Sequence, residues 1–221
     1  MTRRPRRHRL SGLFTILMAG APLPGHGATS EAQGWITTSL TARASESDLV
    51  SMDISQRFRS DTSGDEQMLV RVGIDHRIAD GVQIGGGIAY LEGAGEKELR
   101  PFQQIILSRG PWLARTRLEQ RFFDNDATAG WRLRQRVQAA MPIDAARRWT
   151  AVVAGEAMAH LNRARPGDRT GLATIRAQIG LRHAVTAKID AQLLYMYQVQ
   201  RRSGRPDATA HIPWLTLAWR I

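Results

Sequence analysis

The sequence contains no cysteine. That excludes a disulfide scaffold, a Cys-ligated zinc site, an iron–sulfur cluster and a thiol nucleophile. Lysine is scarce as well: Lys97 and Lys188 are the only two, so 29 of the 31 basic residues are arginines. Beyond the N-terminus no apolar run is long enough to cross a bilayer as a helix, which takes about 20 residues. The longest, Ile84-Gly-Gly-Gly-Ile-Ala-Tyr-Leu91, is short and glycine-rich. Disorder is excluded by composition, with 43% hydrophobic and 23% charged residues. A chain of 221 residues suits one domain with a short tail.

Residues 1–28 have the layout of a secretory signal peptide. Arg3, Arg4, Arg6, Arg7 and Arg9 form a positive start, Leu10–Leu23 is a short apolar core, and Gly25, Gly27 and Ala28 follow as small residues. Cleavage is expected near Ala28. It removes five arginines and no acids and lowers the formal charge from +11 to +6. Much of the basicity that would suggest a nucleic-acid partner therefore belongs to the export signal, and no groove-reading helix or aromatic stacking motif supports such a partner.

The rest of the chain alternates with a period of two. In Trp112–Phe122, Arg115, Arg117, Glu119 and Arg121 fall on one side and Trp112, Ala114, Thr116, Leu118 and Phe122 on the other. In Gly130–Met141, Arg132, Arg134, Arg136 and Gln138 oppose Trp131, Leu133, Val137 and Met141. A helix would smear these arginines around its circumference, whereas a strand sorts them onto one face. Weaker copies run through 67–78, 185–200 and 209–221. Eleven candidate strands result: 34–43, 48–59, 67–78, 81–92, 98–108, 112–123, 130–141, 149–161, 169–182, 185–200 and 209–221.

The connections around 44–47, 79–80, 109–111, 142–148 and 183–184 are mostly short. Those around 60–66, 93–97, 124–129, 162–168 and 201–208 are longer and rich in Gly, Asp, Asn, Ser and Arg. Short turns at one end and longer loops at the other are the habit of an outer-membrane barrel. The fold expected is an all-β, antiparallel, up-and-down transmembrane barrel. Such barrels have even strand counts. Ten strands over 48–221 are therefore expected, with 29–47 as an N-terminal extension or first strand; twelve is the alternative. The strands are longer than the usual five or six residues of soluble proteins and match the roughly 9–11 needed to cross a membrane at a tilt. Trp112 and Trp149 near short turns, and Trp131, Phe122 and Tyr90 near longer loops, suit two interfacial girdles, with Trp219 close to the C-terminus. Pro101 and Pro213 each delete a ladder donor and are expected at bulges or strand ends. A soluble secreted β-protein with its apolar face inward is the competing arrangement.

Several segments resemble an uncharacterised Gram-negative outer-membrane β-barrel family, a domain-of-unknown-function family. Gly87-Ile-Ala-Tyr90 resembles its Gly-Tyr strand, and Arg100-Pro-Phe-Gln-Gln104 its Arg-aromatic-Gln segment. Arg115-Thr-Arg-Leu-Glu-Gln-Arg121, followed by Trp131-Arg-Leu-Arg-Gln-Arg136, resembles its Arg-x-Arg-x-Glu-x-Arg strand and is the specific part. Glu156 and Asn162-Arg163 stand where the family carries an acid and an Asn-Arg element. The resemblance covers about 34–221 and implies a cell outer-membrane location and a barrel shape, with no established activity. The chain departs from the pattern at its end, Ala-Trp-Arg-Ile221, where such barrels often carry an aromatic assembly signal. The implied partners are outer-membrane lipid and lipopolysaccharide, and the barrel-assembly machinery during biogenesis.

With apolar faces outward, the lumen receives Arg57, Arg71, Asp75, Arg77, Arg115, Arg117, Glu119, Arg121, Arg132, Arg134, Arg136, Glu156, Arg176, Arg182, Lys188 and Asp190. Its expected centre is a charge network of Arg115, Arg117, Glu119, Arg121, Arg132, Arg134, Arg136 and Glu156, with Glu119 about opposite Arg134. One carboxylate cannot satisfy five arginines, which calls for water, Glu156 or a bound anion. The function expected is structural, or a narrow permeability pathway for a small anionic solute. A lipid A or phospholipid-modifying enzyme using His160, His211, Ser203 and Glu156 near the rim is the alternative, although no Gly-x-Ser-x-Gly or histidine signature supports it. Gly85-Gly86-Gly87 reads as a thinned strand, because no helix follows to make a phosphate loop. Asp124-Asn-Asp126 lacks the twelve-residue calcium pattern, and no cofactor or metal is expected.

Overall fold

Alternating side chains produce strands here, and each strand turns back on its predecessor. The computed structural model describes residues 29–59, 66–93, 95–165 and 168–221; the expected export signal, 1–28, lies outside them. The described strands are β1 (Thr29–Ala32), β2 (Gly34–Arg43), β3 (Asp48–Phe58), β4 (Gln67–Ala79), β5 (Val82–Gly93), β6 (Glu96–Arg109), β7 (Trp112–Phe123), β8 (Gly130–Pro142), β9 (Trp149–His160), β10 (Gly171–Ala184), β11 (Ile189–Gln200) and β12 (Ala208–Arg220). Every consecutive pair from β2 to β12 is antiparallel.

The sheet then closes. β12 pairs with β2 in parallel, from Trp214↔Trp35 to Arg220↔Thr41, and with β1 from Thr29↔Ala208 to Ala32↔His211. The barrel therefore has eleven strands, with β1 prolonging the first one. This count lies between the ten expected and the twelve of the alternative, and residues 34–43 are the first strand of the wall. The parity argument fails because it assumes an antiparallel seam. With a parallel seam, an odd number of strands closes without an unpaired edge.

Pro213 explains the gap between β1 and β2. It lies within β12, opposite Tyr195 on one side, and on the other side faces the break at Gln33. Without an N–H it cannot donate to the ladder. Pro101 also lies inside a strand, paired with Ile88, and the β6–β7 register is the same on both sides of it. Neither proline marks the bulge or strand end expected; the register shifts fall at Arg77/Ala79 and Leu172/Thr174.

The short turns have specific locks. Ser45 Oγ accepts from Asp48 N at 3.0 Å and donates to Asp48 Oδ2 at 2.6 Å. Gly81 has φ 70°, and a Cβ there would come within 2.3 Å of the Ser108 carbonyl oxygen, so only glycine fits. Thr186 Oγ1 accepts from Lys188 N and Ile189 N. That turn occupies 185–188, so Lys188 is exposed in a turn and outside the lumen, contrary to expectation. Arg77 is likewise exposed at the rim and donates to the Glu46 carbonyl at 2.8 Å. Of the longer connections, 93–97 is shorter than expected, because β5 runs to Gly93 and β6 starts at Glu96.

The wall is apolar on its outside. Ile36, Ile54, Ile74, Ile105, Val137, Val153, Ile179 and Leu193 are among many large hydrophobics exposed there, as are Trp112, Trp131, Trp149 and Phe122. Trp149 stacks on His183, with ring centroids 4.2 Å apart. The inside holds Arg117, Glu119, Arg121, Arg132 and Glu156, each buried. The competing arrangement, with apolar side chains central and arginines outermost, is not the one adopted.

Candidate functional site in the barrel lumen

The lumen network is built from cross-strand rows. On β6 to β9 one row reads Phe102, Glu119, Arg132, His160, and the next Gln104, Arg117, Arg134, Met158. A third reads Arg115, Arg136, Glu156, Arg176, Gln198 across β7 to β11. Glu119 stands opposite Arg132, one row from the expected Arg134. Arg134 still reaches it diagonally.

Glu119 and Glu156 are the anchors, 3% and 4% exposed. Arg132 donates to Glu119 through Nε at 2.7 Å and through Nη2. Arg134 bridges both acids, with Nη1 to Glu119 Oε1 at 2.8 Å and Nη2 to Glu156 Oε1 at 2.7 Å. Arg176 Nη1 reaches Glu156 Oε2 at 3.3 Å, and Arg115 Nη2 reaches Oε1 at 3.4 Å. A charge buried like this needs its partners, because an unpaired one is costly to keep from water.

Two expected members find other partners. Arg121 pairs with Glu98, Nε to Oε1 at 2.5 Å and Nη2 to Oε2 at 3.0 Å, and Arg100 makes a bidentate pair with the same acid. Arg136 donates to Gln138 Oε1 at 2.9 Å and makes no ion pair among the described residues. Glu98, Arg100, Gln104 and Asp53 join the lumen without having been expected there, although Arg100 and Gln104 lie in a segment that carries the resemblance. Gln104 links Arg117 (2.7 Å) to Asp75 (2.6 Å), and Asp53 holds Arg71 at 2.9 Å through Nε. The even spacing of Glu98, Arg100, Phe102 and Gln104 was a usable signal. It was blurred by a phenylalanine facing in and Gln103 facing out.

The glycine-rich strand has a clear role. The Phe102 ring fills the space that a Cβ on Gly87 or Gly73 would invade, at 2.8 and 3.3 Å, and Arg117 lies over that ring at 4.0 Å. β5 is thin so that a stacked Phe–Arg pair fits against it.

The residues of the enzyme alternative are not brought together. Glu156 is held in the lumen by arginines, His160 contacts Arg121 at the loop end, and His211 faces outward against Tyr195. Ser203 is exposed in the last loop.

Cavities lie within the lumen among the described residues, and two of them bear on its chemistry. One of about 480 Å³ opens at the loop end and is lined by Arg165, Arg202 and Arg205. One of about 390 Å³ lies deeper, lined by Arg115, Arg134, Arg136 and Glu156. Trp35, Arg57, Arg100 and Arg176 line both, so the two adjoin.

With this geometry established, comparison with known proteins is informative. Residues 32–209 match the family described as a protein of unknown function, DUF2490. The chain belongs to that family. Its barrel is similar to an uncharacterised protein of Methylorubrum extorquens, 28% identical over 91% of this chain and 96% of that one. Among solved structures this DUF2490 barrel is similar to the NanC porin, with a TM-score of 0.52 and 12% identity over 80% of this chain and 92% of that one. At that identity the likeness concerns the fold: a porin-like β-barrel.

Proposed function

We propose that the protein resides in the outer membrane of a Gram-negative bacterium and forms a narrow, anion-favouring passage. The observation that carries this reading is a wall with opposite chemistries on its two sides. Outside, large apolar side chains are exposed over the whole belt, far beyond the patch of a few hundred Å² that a soluble protein tolerates, which calls for lipid. Inside, arginines outnumber carboxylates around two adjoining cavities, the outer of which opens at the loop end. A closed barrel satisfies every wall N–H and C=O within hydrocarbon. Guanidinium groups in a confined, low-dielectric space attract phosphate- and carboxylate-bearing solutes.

Planar-bilayer recording in a salt gradient tests the passage. Small single-channel steps with a reversal potential on the anion side are expected; cation preference would overturn it. A structural barrel without conductance is the second reading. It is favoured by Leu194, Met196, Ile212 and Val152, which are packed inside the wall and at most 1% exposed. Absence of steps from protein that shifts on boiling in gels would decide for that reading. A lysate in which the protein partitions with the soluble periplasm would overturn the location.

A further inference from the structure

Most lumen arginines touch a carboxylate; Arg57 and Arg136 make no ion pair with a described acid. Among the described residues, the Nε atoms of Arg57 and Arg115 are buried without a hydrogen-bond partner. All three side chains line the deeper cavity of about 390 Å³. Their placement is electrostatically incomplete. Arg115 lies directly opposite Arg136, and Arg117 directly opposite Arg134, so two successive cross-strand pairs are like-charged. Such pairs are destabilising unless a counter-charge sits between them. Glu156, opposite Arg136 on the next strand, supplies one, shared among Arg115, Arg134 and Arg176, and Glu119 supplies another to Arg117 and Arg134. Arg57 and Arg136 are the two arginines of this cavity left without an ion pair among the described residues.

Apolar side chains also stand among the polar ones that line this cavity. Trp35 and Trp214 line it, packed edge to face with centroids 5.6 Å apart, together with Leu91 and Leu113. Arg57 lies over the Trp35 ring at 4.1 Å, at the border between the two chemistries. The volume is at the lower end of small-molecule sites, and the lining is mostly polar with this apolar patch set into it.

We propose that this cavity is a binding site for a small amphipathic anion: one carboxylate or phosphate group held by Arg57, Arg115 and Arg136, and an apolar body against Trp35 and Trp214. The oxyanion supplies the missing counter-charge and accepts from the orphaned Nε–H groups. The apolar body separates this solute from inorganic ions and from polyhydroxylated acids. The proposal rests on the loop-end access that the passage also uses.

Calorimetric titration of the full chain in detergent, folded as judged by the gel shift, tests it with benzoate, phenyl phosphate, inorganic phosphate, glucuronate and benzyl alcohol. Benzoate or phenyl phosphate is expected to bind at least tenfold tighter than inorganic phosphate and glucuronate, with no heat from benzyl alcohol. The stronger of the first two identifies the head group. Arg136→Gln is expected to weaken that binding tenfold or more; Arg57→Gln serves the same purpose if the first variant fails to fold. Equal binding of glucuronate would overturn the role of the tryptophan side, and no binding of either aryl anion would overturn the site. Bilayer recordings on the same preparation keep the two readings apart. Anion preference without binding of either aryl anion removes the site alone; binding of either without current removes the passage and leaves a blind-ended pocket.

Discussion

Along β6, β7 and β8 the inward positions carry Glu98, Arg100, Gln104, Arg117, Glu119, Arg121, Arg132 and Arg134, whereas along β11, β12 and β2 they carry Leu194, Met196, Ala210, Ile212 and Trp35. Both arcs use the same alternation and the same hairpin geometry, yet they are held by different physics. On the charged arc each side chain is fixed by a named partner at hydrogen-bond distance, as Arg134 is by two acids at once. On the apolar arc filled volume dominates, with Met196 and Ile212 completely enclosed and single hydrogen bonds such as Trp214 Nε1 to Thr37 Oγ1 at 2.9 Å beside them. The charged arc depends on pairing, which fails abruptly when one member is lost. The apolar arc depends on packing, which fails in proportion to the atoms removed.

Substitutions on the two arcs should therefore differ in size and even in sign. The largest effect is expected from Glu119→Gln, which leaves Arg132 and Arg134 facing Arg117 without their shared acid. Breaking a buried pair of this kind costs about 3–5 kcal/mol, to be read as a lowered midpoint of urea unfolding from lipid vesicles. A wild-type midpoint would mean that the lumen is wet enough to screen these charges. A smaller loss, about 0.5–1.5 kcal/mol, is expected from Ile212→Val on the apolar arc, with ion preference unchanged in bilayers. A change in selectivity there would show that the apolar arc steers ions too. The smallest effect should have the opposite sign. Arg136→Gln relieves a like-charged pair and is expected to raise stability by about 0.2–1 kcal/mol while weakening anion preference. A marked loss of stability would show that Glu156, its other cross-strand neighbour, outweighs Arg115.

Most of the wall was legible in the sequence because a strand in a two-sided wall must alternate. Trp112–Phe122 and Gly130–Met141 show that pattern cleanly, and their arginines face inward as read. Legibility failed where local chemistry overrode the pattern. Val185 and Ala187 continue the alternation of the strand that follows, but Thr186 locks 185–188 into a turn. The inward Phe102 hid the Glu98–Gln104 face, because its seat is created by glycines on a neighbouring strand. The pairing partners of Glu119 depend on a register offset of one row, set by the loop at 124–129. The seam was beyond local reading, since no residue near Trp35 reveals that its neighbour in the wall is Trp214.

That seam has a mechanical consequence. It is the one joint of the cylinder made between residues almost a whole chain apart, and it is parallel, a slightly weaker arrangement per residue than the antiparallel joints elsewhere. Pro213 interrupts it further by withholding a donor. During assembly this joint closes last, since every other joint forms between neighbours in sequence. Under lateral tension it is also where the cylinder unzips first, between β12 and β2, into a curled sheet whose hairpins are still intact.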